Sequence, residues 1–225
     1  MKLSRTGYGV LALATSSALL LSGCASGGSN SGGGSTGGSI TVGTTDVVTA
    51  LDPAGSYDNG SFAVMTNVYP FLMNHVVGSS DVAPDVAESA EFTTPEEYTV
   101  KLKPGLKFAN GNDLTSSDVK FTFDRQVAIA DPSGPSSLLA NLDSVEAVDD
   151  TTVVFHLKVG NDQTFPQVLS TPVAPIVDED VFPADKLATD EEIVKGKAFA
   201  GQYTLEAFDK GNLASYKAYA DYQGL

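Results

Sequence analysis

The most regular pattern in the chain is Glu97-Tyr98-Thr99-Val100-Lys101-Leu102, where polar and apolar residues alternate strictly. A period of two places Tyr98, Val100 and Leu102 on one face of a strand. The pattern runs on through the Pro104-Gly105 turn signal to Leu106-Lys107-Phe108, and Asn110-Gly111-Asn112-Asp113 marks a second turn. Thr115-Ser116-Ser117-Asp118 resembles a capping box with aspartate in place of Glu or Gln, so a helix is predicted over 119–130, with Val119, Phe123 and Val127 on one face. Residues 144–148 and 151–158 read as a strand pair around Asp149-Asp150. Residues 202–207 and 213–219 read as a hairpin across Asp209-Lys210-Gly211-Asn212. Nearer the start, 39–44 alternates like a strand, and Pro53 makes Leu51-Asp52-Pro53 a turn. Residues 61–73 carry Phe62, Met65, Val68, Tyr69 and Leu72 at helical spacing, with Ser61 as cap and Pro70 as the kink or stop. A short helix is predicted at 164–169. Strands and helices mix without regular βαβ alternation and without an internal repeat, which points to a mixed α/β (α+β) body.

The first residues follow a different pattern. Lys2 and Arg5 form a positive start, and 7–21 is uncharged and apolar, with Val10, Leu11, Leu13, Leu19, Leu20 and Leu21. This is a leader's h-region rather than a membrane span, which needs about 20 residues. It runs into Leu21-Ser22-Gly23-Cys24, which resembles a bacterial lipobox and holds the single cysteine of the chain. By that resemblance residues 1–23 are a lipoprotein signal peptide, and Cys24 is acylated and begins the mature chain. Free cysteines usually sit buried, but the neighbours of Cys24 leave nothing to bury it against, and one cysteine allows no disulfide within the chain. Residues 24–39 hold seven glycines, five serines and no charge. Such a linker is a random coil with a reach of roughly 20 Å, a leash for the body that follows.

The formal net charge is −15, and it becomes −17 once Lys2 and Arg5 leave with the signal peptide. A body this acidic is a poor partner for nucleic acid or anionic headgroups, and its charge acts chiefly on solubility. The two histidines, His75 and His156, are far apart and have no cysteine or third histidine with them, so no metal site is expected. No cofactor motif and no catalytic residue stands out. Outside the glycine-serine linker a Gly-x-Ser-x-Gly elbow is lacking, and Glu96-Glu97 and Asp149-Asp150 fall at turn or strand-entry positions; a glycosidase-type carboxylate pair has no specific support.

The order of landmarks resembles the family 5 extracytoplasmic solute-binding proteins of ABC importers, a group that includes oligopeptide-, dipeptide- and nickel-binding proteins. The landmarks are Leu51-Asp52-Pro53, Asn67-Val68-Tyr69, the strand from Tyr98 to Phe108 with Gly111 and Leu114-Thr115-Ser116-Ser117-Asp118-Val119, and Lys120-Phe121-Thr122-Phe123-Asp124-Arg125. Gly201-Gln202-Tyr203 and Asp221-Tyr222-Gln223-Gly224 also fit, with a family proline and tryptophan replaced. The resemblance runs from about Ile40 to the last residue. It implies a two-lobed fold of the type II periplasmic-binding-protein class, present here as an N-terminal portion, since family members are more than twice this long. The implied division is a first part of lobe I over 40–69, an inserted subdomain over 70–170 and a return to lobe I over 171–225. The implied function is capture of a solute, most often an oligopeptide, and delivery to ABC permease subunits, with membrane contact through the lipid on Cys24. Ser56, Tyr57, Asp58 and Asn59 would face the cleft, with Asp58 holding a ligand ammonium by a charge-assisted hydrogen bond. On residues alone those four also read as a solvated turn. The rival classes are a non-transport surface lipoprotein for adhesion or sensing, and a lipid-anchored hydrolase.

Overall fold

A computed structural model describes residues 38–224. The signal peptide, Cys24 and most of the glycine-serine tract fall outside the described residues. Residues 38–50 form neither helix nor strand. The strand expected at 39–44 is therefore absent; Ile40 and Val42 lie exposed, and an alternating pattern without a partner strand satisfies none of its backbone groups. From Thr44 onward the chain forms one compact unit.

The elements in order are a 3-10 turn at Pro53–Gly55, α1 (Asn59–Val68), β1 (Met73–His75), β2 (Val82–Pro84), β3 (Ala87–Thr94), β4 (Glu97–Leu102), α2 (Ser116–Ile129), a second 3-10 turn at Ser136–Leu139, β5 (Leu142–Asp149), β6 (Thr152–Leu157), α3 (Phe165–Val168), α4 (Asp190–Gly196), β7 (Tyr203–Asp209) and β8 (Leu213–Ala218). The central sheet is antiparallel, in the order β3-β4-β6-β5, beside the separate hairpins β1-β2 and β7-β8. Tyr98 pairs with Phe155 and Val100 with Val153, so the apolar rows of β4 and β6 stand side by side on one buried face. Phe123 of α2 meets Phe155 edge-to-face at 5.0 Å, and Phe165 of α3 lies 5.4 Å from Phe155 and 5.6 Å from Tyr98. These residues, with Val119, Leu102 and Leu157, form a first core.

A second core gathers Leu51, Val64, Met65, Val68 and Tyr69 with Val177, Phe182, Ile193, Phe199 and Leu205. Apart from Ala200, which touches the first core again, the chain changes core between Tyr69 and Phe71 and between Ile176 and Val177. The two crossings lie side by side, because the Ile176 amide donates to the Pro70 carbonyl at 3.0 Å.

Three further expectations need correction. The first helix spans 59–68 rather than 61–73, since Asp58 and not Ser61 caps it, and Pro70 follows its end. Val127 is exposed while Gln126 is buried: residues four apart drift around the helix, and by the second step the row has left the core face. The strand expected at 106–108 is reduced to a single bridge between Lys107 and Asp113, closing a turn in which Gly111 has a φ of +99°.

Candidate functional site

The loop from Asp52 to Asn59 is tied at both ends. At its start, Asp52 is fully buried and takes a bidentate ion pair from Arg125, with Nη1 donating to Oδ1 at 2.8 Å and Nη2 to Oδ2 at 2.6 Å. Both oxygens also accept a backbone amide, Oδ1 from Ala54 at 2.9 Å and Oδ2 from Ala188 at 2.7 Å. Arg125 uses its remaining donors on the carbonyls of Pro183 (2.7 Å) and Lys186 (2.8 Å), and its guanidinium stands 5.4 Å from the Phe182 ring. A buried pair stabilises when its charges are also hydrogen-bonded, and here each Asp52 oxygen accepts twice and the Arg125 guanidinium makes four hydrogen bonds. Gly134 presses against the loop, where a Cβ would come within 2.1 Å of the Ala54 carbonyl oxygen.

The end of the loop is tied through Asp58, whose carboxylate caps α1 by accepting the Ser61 amide at 2.8 Å and also accepts the Thr49 hydroxyl. Ser61 Oγ in turn accepts the Thr49 amide at 2.9 Å. Partial burial pushes the Asp58 carboxyl up, but the hydrogen bonds from Thr49 and Ser61 outweigh it and hold the group below the usual aspartate value. Among the four residues named from the resemblance, Ser56 is buried, its hydroxyl 3.5 Å from the Asp52 carbonyl, and Asn59 opens α1. Tyr57 is 55% exposed and is the large group this rigid loop offers to solvent.

A second polar cluster escaped sequence reasoning. Asp178 is buried and accepts the side-chain amides of Asn110 (2.8 Å) and Asn112 (2.9 Å), while Asp118 of α2 accepts the Glu179 amide (3.1 Å) and the Thr115 amide (2.8 Å). The legible signals were the Asn-Gly-Asn turn and the capping box, but neither named its partner across the core boundary. His75 and His156 sit apart, and among the described residues no group of His, Cys, Asp and Glu is arranged to hold a metal ion. Nor is any described helix long and apolar enough to cross a membrane.

Residues 81–225 match the family model described as bacterial extracellular solute-binding proteins, family 5 Middle. The chain belongs to this family. The glutathione-binding protein GsiB of Escherichia coli K12 is 30% identical over 179 residues, covering 77% of this chain and 33% of GsiB. The probable D,D-dipeptide-binding periplasmic protein DdpA of the same strain is 34% identical over 112 residues, 48% of this chain and 21% of DdpA. Among solved structures, the oligopeptide-binding protein AppA of Bacillus subtilis, in complex with a nonapeptide, superimposes with a TM-score of 0.69 at 25% identity over 80% of this chain and 36% of AppA. OppA of Burkholderia pseudomallei shares the fold with a TM-score of 0.66 at 19% identity. The fold is thus that of the two-lobed periplasmic binding proteins, and this family 5 chain spans about a third of the length of GsiB.

Proposed function

We propose that this chain is the front part of the extracytoplasmic substrate-binding lipoprotein of an ABC importer, which captures a peptide or glutathione-like solute and delivers it to a membrane permease. The observation that carries this reading is the extent of the likeness to GsiB, which runs through 179 residues and so takes in both cores. The change of core at 69–71 and 176–177 supports a division into lobe I, an inserted subdomain and a return to lobe I close to residues 70 and 170. In this mechanism a ligand touching both lobes selects the closed state, because only closure makes both sets of contacts at once.

Within that reading the Ser56–Asn59 loop faces the solute. Tyr57 supplies the exposed ring, Asp58 a carboxylate for a ligand ammonium, and the ties at Asp52 and Asp58 keep the loop's shape before ligand arrives, which lowers the ordering cost of binding. The lipid on Cys24 and the leash over 24–39 keep the body near its permease.

The test is calorimetric titration of glutathione, dipeptides and a nonapeptide into a chain extended to the length of its relatives. We expect saturable binding of at least one of these, weakened roughly tenfold by Tyr57→Ala. Absence of saturable binding by every one of them sinks the solute class. Normal affinity in both Tyr57→Ala and Asp58→Ala removes the loop from the site while leaving the family reading intact.

A further inference from the structure

α2 lies where the two cores meet. Val119 and Phe123 enter the first core, while Phe121 packs against the second. Its polar side chains hold the second crossing of the chain: Thr122 Oγ1 accepts the Val177 amide at 3.0 Å, and Asp118 Oδ1 accepts the Glu179 amide at 3.1 Å. Between those two residues sits Asp178, held from the other side by Asn110 and Asn112 and by the Asp180 amide at 2.9 Å. Two buried carboxylates, Asp118 at 3% exposure and Asp178 at 1%, therefore lie near one another at the boundary of the cores, since Asp118 bonds the backbone of the residue after Asp178.

All their hydrogen-bond partners are neutral, apart from each other's field. Among the described residues no ion pair reaches either carboxylate, and the buried cation of α2, Arg125, is committed to Asp52. The other charged groups nearby do little to offset them. Glu179 adds a further negative charge from the crossing segment, and it borders a groove with Lys120, Asp124 and Arg125 of α2; Lys120 is engaged with Asp124. At the helix start, Asp149 and Asp150 of the β5–β6 turn contribute carbonyls to Ser116. Two neighbouring anions in a dry setting without a counter-cation favour the uptake of one proton.

We propose that the Asp118/Asp178 pair is a proton-responsive joint between the two cores, which tightens when Asp118 takes up a proton. A neutral Asp118 keeps an acceptor oxygen for the Glu179 amide and no longer repels Asp178 and Glu179. Burial first, then the fields of Asp178 and Glu179, push its carboxyl up to about 6 against the pull of its two amide donors. The sign follows from linkage. A carboxyl whose folded value lies above its unfolded value binds more protons in the folded state between the two, so stability rises as pH falls through that window. The joint is tight in mildly acidic surroundings and looser at neutral pH. This inference does not depend on the identity of the solute.

The experiment is urea unfolding of this chain at about pH 5 and about pH 7.5, wild type beside Asp118→Asn, with carboxyl-carbon NMR titration of Asp118 in the wild type. The expected wild-type result is an unfolding equilibrium constant smaller at the lower pH, with Asp118 accounting for about a tenfold change that the variant lacks. Amide exchange at Val177 and Glu179, corrected for its intrinsic pH dependence, should slow in parallel at the lower pH. An unaltered pH slope in Asp118→Asn overturns the proposal. Should the variant fail to fold, the wild-type titration decides: a midpoint near 6 supports the joint, and a midpoint at the ordinary aspartate value overturns it.

Discussion

Near its C-terminal end α2 puts the Arg125 guanidinium on both oxygens of Asp52, whereas at its N-terminal end it puts Asp118 on the backbone next to Asp178, with amides and no cation. Both arrangements bury carboxylate charge, and both fasten α2 to the second core. They differ in how the charge is balanced. Around Asp52, each carboxylate oxygen is matched by the guanidinium of opposite sign and by a backbone amide, so the pair is held firmly but tolerates no loss of a partner. Around Asp118, donors soften a net repulsion without removing it, so the contact is weaker and its strength is set by a proton. One helix thus carries a fixed fastening and an adjustable one.

The largest expected effect breaks the fixed fastening. Arg125→Met leaves the Asp52 carboxylate buried with only its two amide donors and should cost about 3–5 kcal/mol in urea unfolding. Combining it with Asp52→Asn removes the stranded charge, and the double variant should recover a good part of that loss. If Arg125→Met instead costs less than about 1 kcal/mol, the pair behaves as a surface pair and the contrast with Asp118 disappears.

A smaller effect is expected at the opposite end. Thr115 caps α2 by accepting the Ser117 amide at 3.2 Å, and its own amide donates to Asp118. Thr115→Ala removes the side-chain acceptor and leaves the amide in place, so it should destabilise by about 1 kcal/mol, as N-cap losses do. Because the Asp118 contacts to backbone survive, the pH slope assigned to Asp118 should survive too. A variant that lost both stability and slope would show that the cap, and not the carboxylate pair, sets the behaviour of the joint.

The halves of this comparison were unequally legible in the sequence. The alternating rows of β4 and β6, the β7–β8 hairpin and the α2 capping box follow from periods and turn residues, and the structure has them close to the expected places. β3 was missed because Ala87-Glu88-Ser89-Ala90-Glu91 has little apolar alternation; its place comes from pairing along β4 at the sheet edge. α4 was missed because Ile193 is its one buried side chain, although Thr189 and Glu192 form a capping box that could have marked it. Leu51-Asp52-Pro53 and the stretch ending in Arg125 were both visible as landmarks. Nothing in either reveals that residues 73 positions apart form one ion pair, because spacing rules describe neighbours along an element and not partners across a core. Asp58 shows a related limit: the family resemblance suggested a ligand carboxylate, while its hydrogen bonds to Ser61 and Thr49 also make it the cap of α1.

The smallest expected effect tests whether burial, rather than charge pairing as such, separates the two ends of α2. Lys120 and Asp124 form an ion pair one turn apart on the same helix, with side chains 44% and 52% exposed. Water screens such a pair, and holding two long side chains in one geometry costs conformational freedom, so pairs of this spacing contribute only about 0.3–0.5 kcal/mol. Lys120→Met should therefore shift the urea midpoint barely, and added salt should shrink even that difference. Lys120 is also the cation of α2 nearest in sequence to Asp118, so the variant reports on the joint as well. If the lysine's field reached Asp118, its removal would raise the Asp118 titration midpoint, which NMR would detect even where stability hardly moved. An unchanged midpoint would mean that a cation on the wet face of α2 does not offset the charge buried on its dry face, and that Asp118 differs from Asp52 because no guanidinium stands inside with it.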